Sequence, residues 1–309
     1  CDDYGYIAND ERFGPAMLDR IQRCATRDQN RPSVVIWSMG NESGYGVNFE
    51  ESARWLKEFD PTRLVHYEGS CYQSPGHKND LSNIDIYSRM YTPVAECEDI
   101  LTSGVLDGRP FVLCEYIHAM GNGPGDAEHY QDIIYKYDNF CGGFVWEWCD
   151  HAMNMGQTVD GRTKYFYGGD WGEYLHDGNF CMDGLVTPDR EPSMSLIEYA
   201  NVIRPARMVG SLEEAKAGRI TLRNTLDFMN LADYITLQYS LNVNGEIVAE
   251  SMFACPSIEP HEEVTFDLPD WPEESYEGEV DLVLSYHRLE TDFFFDEGDL
   301  LGHDQYILD

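Results

Sequence analysis

The sequence predicts two domains, an α/β domain over residues 1–205 and an all-β, immunoglobulin-like sandwich over residues 206–309. Three observations carry this. Up to about residue 205, short apolar runs alternate with segments of helical periodicity. From about Ala206 the period drops to two. Asn244-Gly245 then stands between two apolar runs, a strong hairpin-turn signal. A chain of 309 residues can bury a large core and divide into two domains.

Taken in order, "PAMLDRIQRCATRD" spaces Met17, Ile21, Cys24 and Ala25 on one helical face. "SVVIWS" (33–38) is a buried strand, and "VNFEESARWLKEFD" a helix with Phe49, Ala53 and Leu56 on one stripe. "RLVHYEG" (63–69), "IDIYSRMY" (84–91), "PFVLCEY" (110–116) and "GGFVWEWCD" (142–150) are further strands, with a helix in "DAEHYQDIIYKYD". Short apolar strands separated by helices indicate a parallel sheet covered on both faces. In the second domain Ile220 and Leu222 alternate, as do Val264, Phe266 and Leu268, and Val280, Leu282, Leu284 and Tyr286. Strands of this kind read as an antiparallel sandwich.

Composition removes several function classes. The net charge of −35 excludes binding to a nucleic-acid backbone, which needs Lys and Arg clusters, and excludes anionic membrane surfaces on the same ground. Seventeen acidic residues against one basic residue, Arg288, follow Ser251 and account for much of that charge. The nine cysteines are scattered and form no C-x-x-C, so neither a zinc ribbon nor a disulfide framework is expected. Cysteines inside apolar strands behave as small hydrophobes and point to a reducing cytoplasm. No apolar run approaches the length of a membrane span, no stretch reads as a signal peptide, and the chain opens at Cys1.

Two strands break their apolar pattern in the same way. "SVVIWSMGNESGYG" passes from a buried strand to Glu42 within a few residues, and "PFVLCEYIHAMGN" ends in Glu115. A carboxylate at the end of a core strand is solvated, paired or employed, because burying it alone is costly. If the sheet curls into a barrel, the C-terminal strand ends converge on one face, and the two glutamates can meet across a pocket. One carboxyl protonating a leaving oxygen while another attacks the anomeric carbon is the equipment of glycoside cleavage. Strand-end acids also cap helices and bind metals, so the residues alone leave those readings open.

The surrounding phrases resemble a known family. "RPSVVIWSMGNESGYG", "SRMY", "RPFVLCEYIHAMGN", "GGFVWEWCD", "YGGDWGE" and "NFCMDGLVTPDR" are similar, in this order, to the β-galactosidases of glycoside hydrolase family 2. The resemblance covers most of residues 1–205, and the sandwich resembles the domain next in order. It implies a (β/α)8 barrel of the TIM type and retaining hydrolysis of terminal β-galactosides such as lactose, with Glu42 as acid/base and Glu115 as nucleophile. It further implies that Asn41 reaches the sugar 2-hydroxyl, that Tyr91 steadies the nucleophile and that His118 binds sugar hydroxyls. Trp146 becomes the floor under the sugar ring, and Phe180 and Asp183 form the site near the 6-hydroxyl, where the family can hold sodium. The best-known members carry Asn at the position of Asp183. Asp170 and Trp171 read as loop braces. Glu68 and Glu147 also end strands, but no motif gives them chemistry, and they read as structural.

The chain also departs from the family. About five barrel strands are legible where the family has eight. "CDDYGYI" resembles the segment before a strand bearing a Glu-x-His pair of magnesium ligands, but "ANDERFGPAMLDRI" follows it directly and the first histidine is His66. Magnesium is therefore expected from the family with only Glu42 left of its ligands. The sequence is expected to be an internal portion of such an enzyme. Its partners are β-galactoside sugars, with complementing segments of the same enzyme or further copies of the chain on the protein side. Two alternatives stand beside this reading, an inactive fragment and a family 2 relative with another sugar preference.

Overall fold

Five parallel strands form where the alternation places them; four lie within their apolar runs, and the fifth, 140–145, begins two residues before the run 142–150. The computed structural model describes residues 5–274 and 276–309, so Cys1 and the first four residues of "CDDYGYI" lie outside them. The chain divides into two compact units, 1–195 and 196–309, upstream of the expected boundary at 205/206.

In the first unit helix α1 (Gly14–Asp28) precedes strand β1 (Ile36–Ser38), and α2 (Val47–Phe59) leads to β2 (Leu64–His66). β3 (Tyr87–Met90), α3 (Val94–Thr102), β4 (Phe111–Tyr116), α4 (Ala127–Lys136) and β5 (Phe140–Val145) follow. β1 pairs with β2, β3 with β4 and β4 with β5, all parallel. Between β2 and β3, Asp85 donates its N–H to the Val65 carbonyl (2.9 Å) and accepts from the Val65 N–H through its carboxylate (2.7 Å). The strands therefore run side by side in chain order. Among the described residues they do not close on themselves, and β1 and β5 each have an edge without a partner strand. Val35 beside one edge and Phe144 on the other are exposed, the kind of apolar edge that invites further pairing.

The helices bury the faces their periodicity predicts, with one exception. Phe49, Ala53 and Leu56 of α2 are buried against Trp37, Val65 and Tyr67, and the Phe49 and Tyr67 rings stack at 4.1 Å. On α1, Ala25 is buried and Met17 and Ile21 pack partly against the same core, whereas Cys24, expected on that face, is exposed. Cys24 stands one residue from Ala25, about 100° around the helix axis, and that rotation takes it off the stripe. Asp60 ties the far end of β1 down. It accepts from Trp37 Nε1 (3.0 Å), Thr62 Oγ1 (2.6 Å) and Arg63 Nη1 (2.6 Å), which together hold its carboxyl well below the usual range.

A hairpin, β6 (Met153–Gln157) and β7 (Thr163–Phe166), follows the parallel strands, and α5 (Met194–Val202) leads into the second unit. There β8 (Ala206–Met208), β9 (Arg219–Asn224), β10 (Ile235–Val243), β11 (Glu246–Ala254), β12 (Glu263–Asp267), β13 (Val280–Arg288) and β14 (Leu300–Ile307) form two antiparallel sheets, with the short helix α6 (Leu212–Lys216) between β8 and β9 in the chain. Their orders are β11-β10-β13-β14 and β12-β9-β8. Alternate residues of β9, β10 and β13 (Ile220 and Leu222, Leu237 and Tyr239, Leu282 and Leu284) meet in one core, as the period of two requires. Asn244 (φ 53°) and Gly245 (φ 82°) make the tight turn between β10 and β11. Every described cysteine is a free thiol, and among the described residues no helix is long and apolar enough to cross a membrane.

Candidate active site

Glu115 lies near the end of β4, opposite Met90 at the end of β3. The next residue, Tyr91, donates its backbone N–H to the Glu115 carbonyl (3.0 Å) and its hydroxyl to Glu115 Oε2 (2.7 Å). Burial pushes the Glu115 carboxyl above its ordinary pKa, the Tyr91 hydroxyl pulls it down, and the neighbouring Glu42 charge pushes it up again. The same environment drives the Tyr91 hydroxyl far above its ordinary value, first through burial and then through its bond to Glu115. It remains a donor.

Glu42 reaches the site from the loop after β1. Met39 donates its N–H to the His66 carbonyl (3.1 Å), so the chain leaves β1 still pinned to β2. Ser43 then donates its N–H to the hydroxyl of the buried Tyr67 (3.0 Å). Close approach explains Gly69 here, since a side chain there would meet the Gly44 carbonyl at 2.8 Å. Between these anchors Asn41 and Glu42 are exposed, and the Glu42 field raises the proton affinity of both Glu115 and Tyr91. Glu42 (φ 44°), Tyr91 (φ 49°) and Ile117 (φ 40°) all hold left-handed backbone, which non-glycine residues adopt rarely and which gathers at working sites.

A second group of side chains joins Glu115 from the loop after β4, from the residue that follows β5 and from the loops beyond it. The His118 ring lies 5.7 Å from that of Tyr91 and 5.9 Å from that of Phe180. Met120 donates its N–H to His118 Nδ1 (3.3 Å), which leaves the neutral ring's proton on Nε2, 3.9 Å from Asp183 Oδ2. Trp146 donates Nε1–H to the same oxygen (3.1 Å) and remains 36% exposed. Asp183 is only 2% exposed, and among the described residues no hydrogen-bond donor is found for its Oδ1. Glu147 lies beside it, its carboxyl pushed up by burial and then by Asp183. Tyr91, Glu115, His118, Trp146, Phe180 and Asp183 are thus linked by direct contacts, and Glu42 acts on Glu115 and Tyr91 through its charge.

Two residues read as structural belong to this neighbourhood. Glu147 is one, through Asp183. Glu68 is the other: it follows β2, is 4% exposed, and lines a cavity together with Glu42. Burial raises its pKa, the Tyr72 hydroxyl and Arg89 oppose that rise, and Glu42 and Glu115 add to it. "RLVHYEG" carried the same signal as the other two strands, an apolar run closed by a carboxylate.

The metal expectations fare differently. Among the described residues no group of three or more His, Cys, Asp or Glu side chains is arranged to hold a metal ion. Glu42 alone does not make a magnesium site. Asp183 Oδ1, a buried oxygen without a donor, has the hard-oxygen character that a sodium ligand needs.

Two family models match the chain. The model described as glycosyl hydrolases family 2, TIM barrel domain, matches residues 1–208, and that described as beta-galactosidase, domain 4, matches residues 220–309. A beta-galactosidase of Actinobacillus pleuropneumoniae is 48% identical over 290 residues, covering 94% of this chain and 27% of that protein. One of Staphylococcus xylosus is 42% identical over 308 residues, covering 99% of this chain and 30% of that protein. The chain therefore spans less than a third of the length of these curated relatives. Among solved structures, a beta-glycosidase from Bacteroides vulgatus is similar at a TM-score of 0.42 and 13% identity, covering 94% of this chain and 38% of that one.

Proposed function

The chain belongs to the glycosyl hydrolases of family 2, and on that premise we propose that it carries both catalytic carboxylates of a retaining β-galactosidase. The observation that carries the reading is Glu115, half-buried, accepting from Tyr91 at 2.7 Å and sensing the charge of Glu42. In the first step Glu42 gives its proton to the glycosidic oxygen as the C1–O bond breaks, and a Glu115 oxygen forms an ester with C1. In the second, Glu42 takes a proton from water, the water oxygen bonds to C1, and Glu115 leaves as a carboxylate. Tyr91 steadies that carboxylate whenever it carries charge. Asn41 and His118 bind the sugar's hydroxyls, and the partly exposed Trp146 packs against the apolar side of the ring. Asp183 binds the 6-hydroxyl directly; Asp183 and Phe180 are also the residues that would hold a sodium ion, which would supply positive charge beside that hydroxyl. No step is drawn through magnesium. Lactose is the proposed natural substrate, and the free thiols suit a reducing cytoplasm.

Tyr91→Phe has a signed consequence for pH dependence. Glu115 must be ionised to attack, its pKa is already raised by burial, and Tyr91 is what lowers it. Removing the hydroxyl raises the pKa further, so less carboxylate is present at a given pH. The acid limb of the kcat/KM profile for an aryl galactoside is expected to move to higher pH, and the plateau to fall roughly 10- to 100-fold. An unmoved limb would mean that Tyr91 does not act through Glu115.

The experiment that tests the reading assays these 309 residues alone and together with polypeptide supplying further barrel strands. Catalytic groups need to be held within about 0.5 Å, and five strands with two open edges make a weak frame for that. A 1 Å misplacement costs on the order of 100-fold. The chain alone is expected to hydrolyse an aryl galactoside negligibly, and docking of the complementing strands is expected to restore turnover. If the completed assembly cleaves no galactoside, the reading is wrong.

A further inference from the structure

Tyr91 takes its position from the end of β3, and that end is irregular. Along β3 and β4 the register sets Tyr87 opposite Phe111, Ser88 opposite Val112 and Arg89 opposite Leu113, and then Met90 opposite Glu115. One residue of β4, Cys114, is left over, which marks a bulge. A bulge re-aims the side chains next to it, and here those include Glu115 on β4 and, just past β3, Tyr91. Tyr91 also holds left-handed backbone (φ 49°), which a bulky residue keeps only where its surroundings over-determine it.

Arg89, two residues upstream, is where those surroundings meet. Its guanidinium lies 5.3 Å from the centroid of the Tyr72 ring, and its Nη2 lies 3.7 Å from Glu96 Oε1 in the first turn of α3. It also meets the hydroxyl of Tyr87, which shares its face of β3, and it offsets the charge of Glu68. The Tyr72 hydroxyl in turn interacts with Glu68, so Glu68, Tyr72 and Arg89 close a ring of contacts across the ends of β2 and β3. The contact from Arg89 to Glu96 spans the turn that carries Tyr91 and Thr92. Tyr130 of α4 donates its hydroxyl to the Thr92 carbonyl (2.7 Å), so the turn is held at its middle as well as at its ends. An aromatic face and two carboxylates converge on one side chain, and only a cation satisfies all three.

We propose that Arg89 is a positioning residue for the glycosidase reaction: by clamping the end of β3 to Tyr72, Glu68 and Glu96, it aims the Tyr91 hydroxyl at Glu115. Among the described residues no hydrogen bond or ion pair joins the Arg89 side chain to Glu115, so its effect runs through Tyr91. The proposal rests on the reading of Glu115 as nucleophile and Tyr91 as its donor.

The test is a double-mutant cycle in an enzyme form with a closed barrel. Arg89→Met keeps the length of the side chain and removes its charge and its donors. It is expected to lower kcat/KM for an aryl galactoside about 10-fold and to move the acid limb to higher pH, as Tyr91→Phe does. In the Tyr91→Phe background the same substitution is expected to change kcat/KM less than about 2-fold, because the hydroxyl it positions is already gone. Arg89→Lys keeps a cation near the Tyr72 ring and is expected to retain most of the rate. Should Arg89→Met fail to fold, Tyr72→Leu supplies the test: Tyr72 is 46% exposed, so its replacement frees the guanidinium without opening the core. Its effect is expected in the same direction, and it too is expected to vanish when residue 91 is Phe. Full additivity with Tyr91→Phe, or an unmoved acid limb, would overturn the role of Arg89 and leave Tyr91 and Glu115 as proposed. A Tyr91→Phe enzyme with an unaltered rate and pH profile would overturn both.

Discussion

Glu115→Gln, in an enzyme form with a closed barrel, is expected to lose turnover of every galactoside by on the order of 10⁵-fold. The substitution keeps the shape of the side chain and its place at the end of β4, so the loss is chemical. An amide oxygen does not form the ester that divides the reaction into two steps, and among the described residues no other carboxylate accepts the Tyr91 hydroxyl. A small external anion such as azide is expected to recover part of the rate on an activated substrate. It attacks C1 from the side that Glu115 occupies, so the galactosyl azide has the inverted anomeric configuration. A loss of less than about 10-fold, or no inverted product with azide, would remove Glu115 from the nucleophile's role.

Glu42→Gln is expected to separate substrates by how much their leaving groups need a proton. Lactose departs as an alkoxide unless protonated, and its kcat/KM is expected to fall by about 10³- to 10⁴-fold. A nitrophenolate scarcely needs the proton, so kcat/KM for that substrate is expected to fall far less. Its kcat should nevertheless drop, because the second step then lacks the base that activates water, and the glycosyl-enzyme accumulates. Rapid-quench measurements would show this as a burst of nitrophenolate followed by slow turnover. Equal losses in kcat/KM on both substrates would mean that Glu42 is not the acid.

The parts of this site differed in how legible they were, for physical reasons. Glu42 and Glu115 stood out because a carboxylate interrupting a core strand demands an explanation, and the explanation is a shared face at the strand ends. Glu68 carried the same signal and was read as structural, because sequence does not show which strand-end side chains point into a common cavity. Folding supplies that, through the short 3₁₀ turn at Glu68–Cys71. His118, Trp146 and Asp183 were reachable only through resemblance, since a histidine, a tryptophan and an aspartate far apart in the chain share no periodicity. The contacts that unite them run from the loops after β4 and β5 to the segment bearing Phe180 and Asp183.

The fold shows the same division. The five strands and the sandwich were legible because buried parallel strands are near-continuous apolar runs and half-buried antiparallel ones alternate. Strand ends were not, since only three of the six residues in 33–38 pair with a neighbour. The β6–β7 hairpin left no pattern at all, because β6 is exposed along its whole length and an exposed strand has no buried face to impose a period. Helix α3 was missed for its brevity: nine residues behind Pro93 give few repeats to count.

The most direct test of the account is to trap the intermediate. A 2-deoxy-2-fluoro galactoside with a good leaving group slows the second step more than it slows the first, so a retaining enzyme is left carrying the sugar as an ester. Peptide mass spectrometry on a catalytically competent form is predicted to find the fluorosugar on Glu115, within the peptide bearing "FVLCEYIHAM". Label on Glu42, on Glu68 or on any other residue, or no label on an enzyme that turns over galactosides, would contradict it.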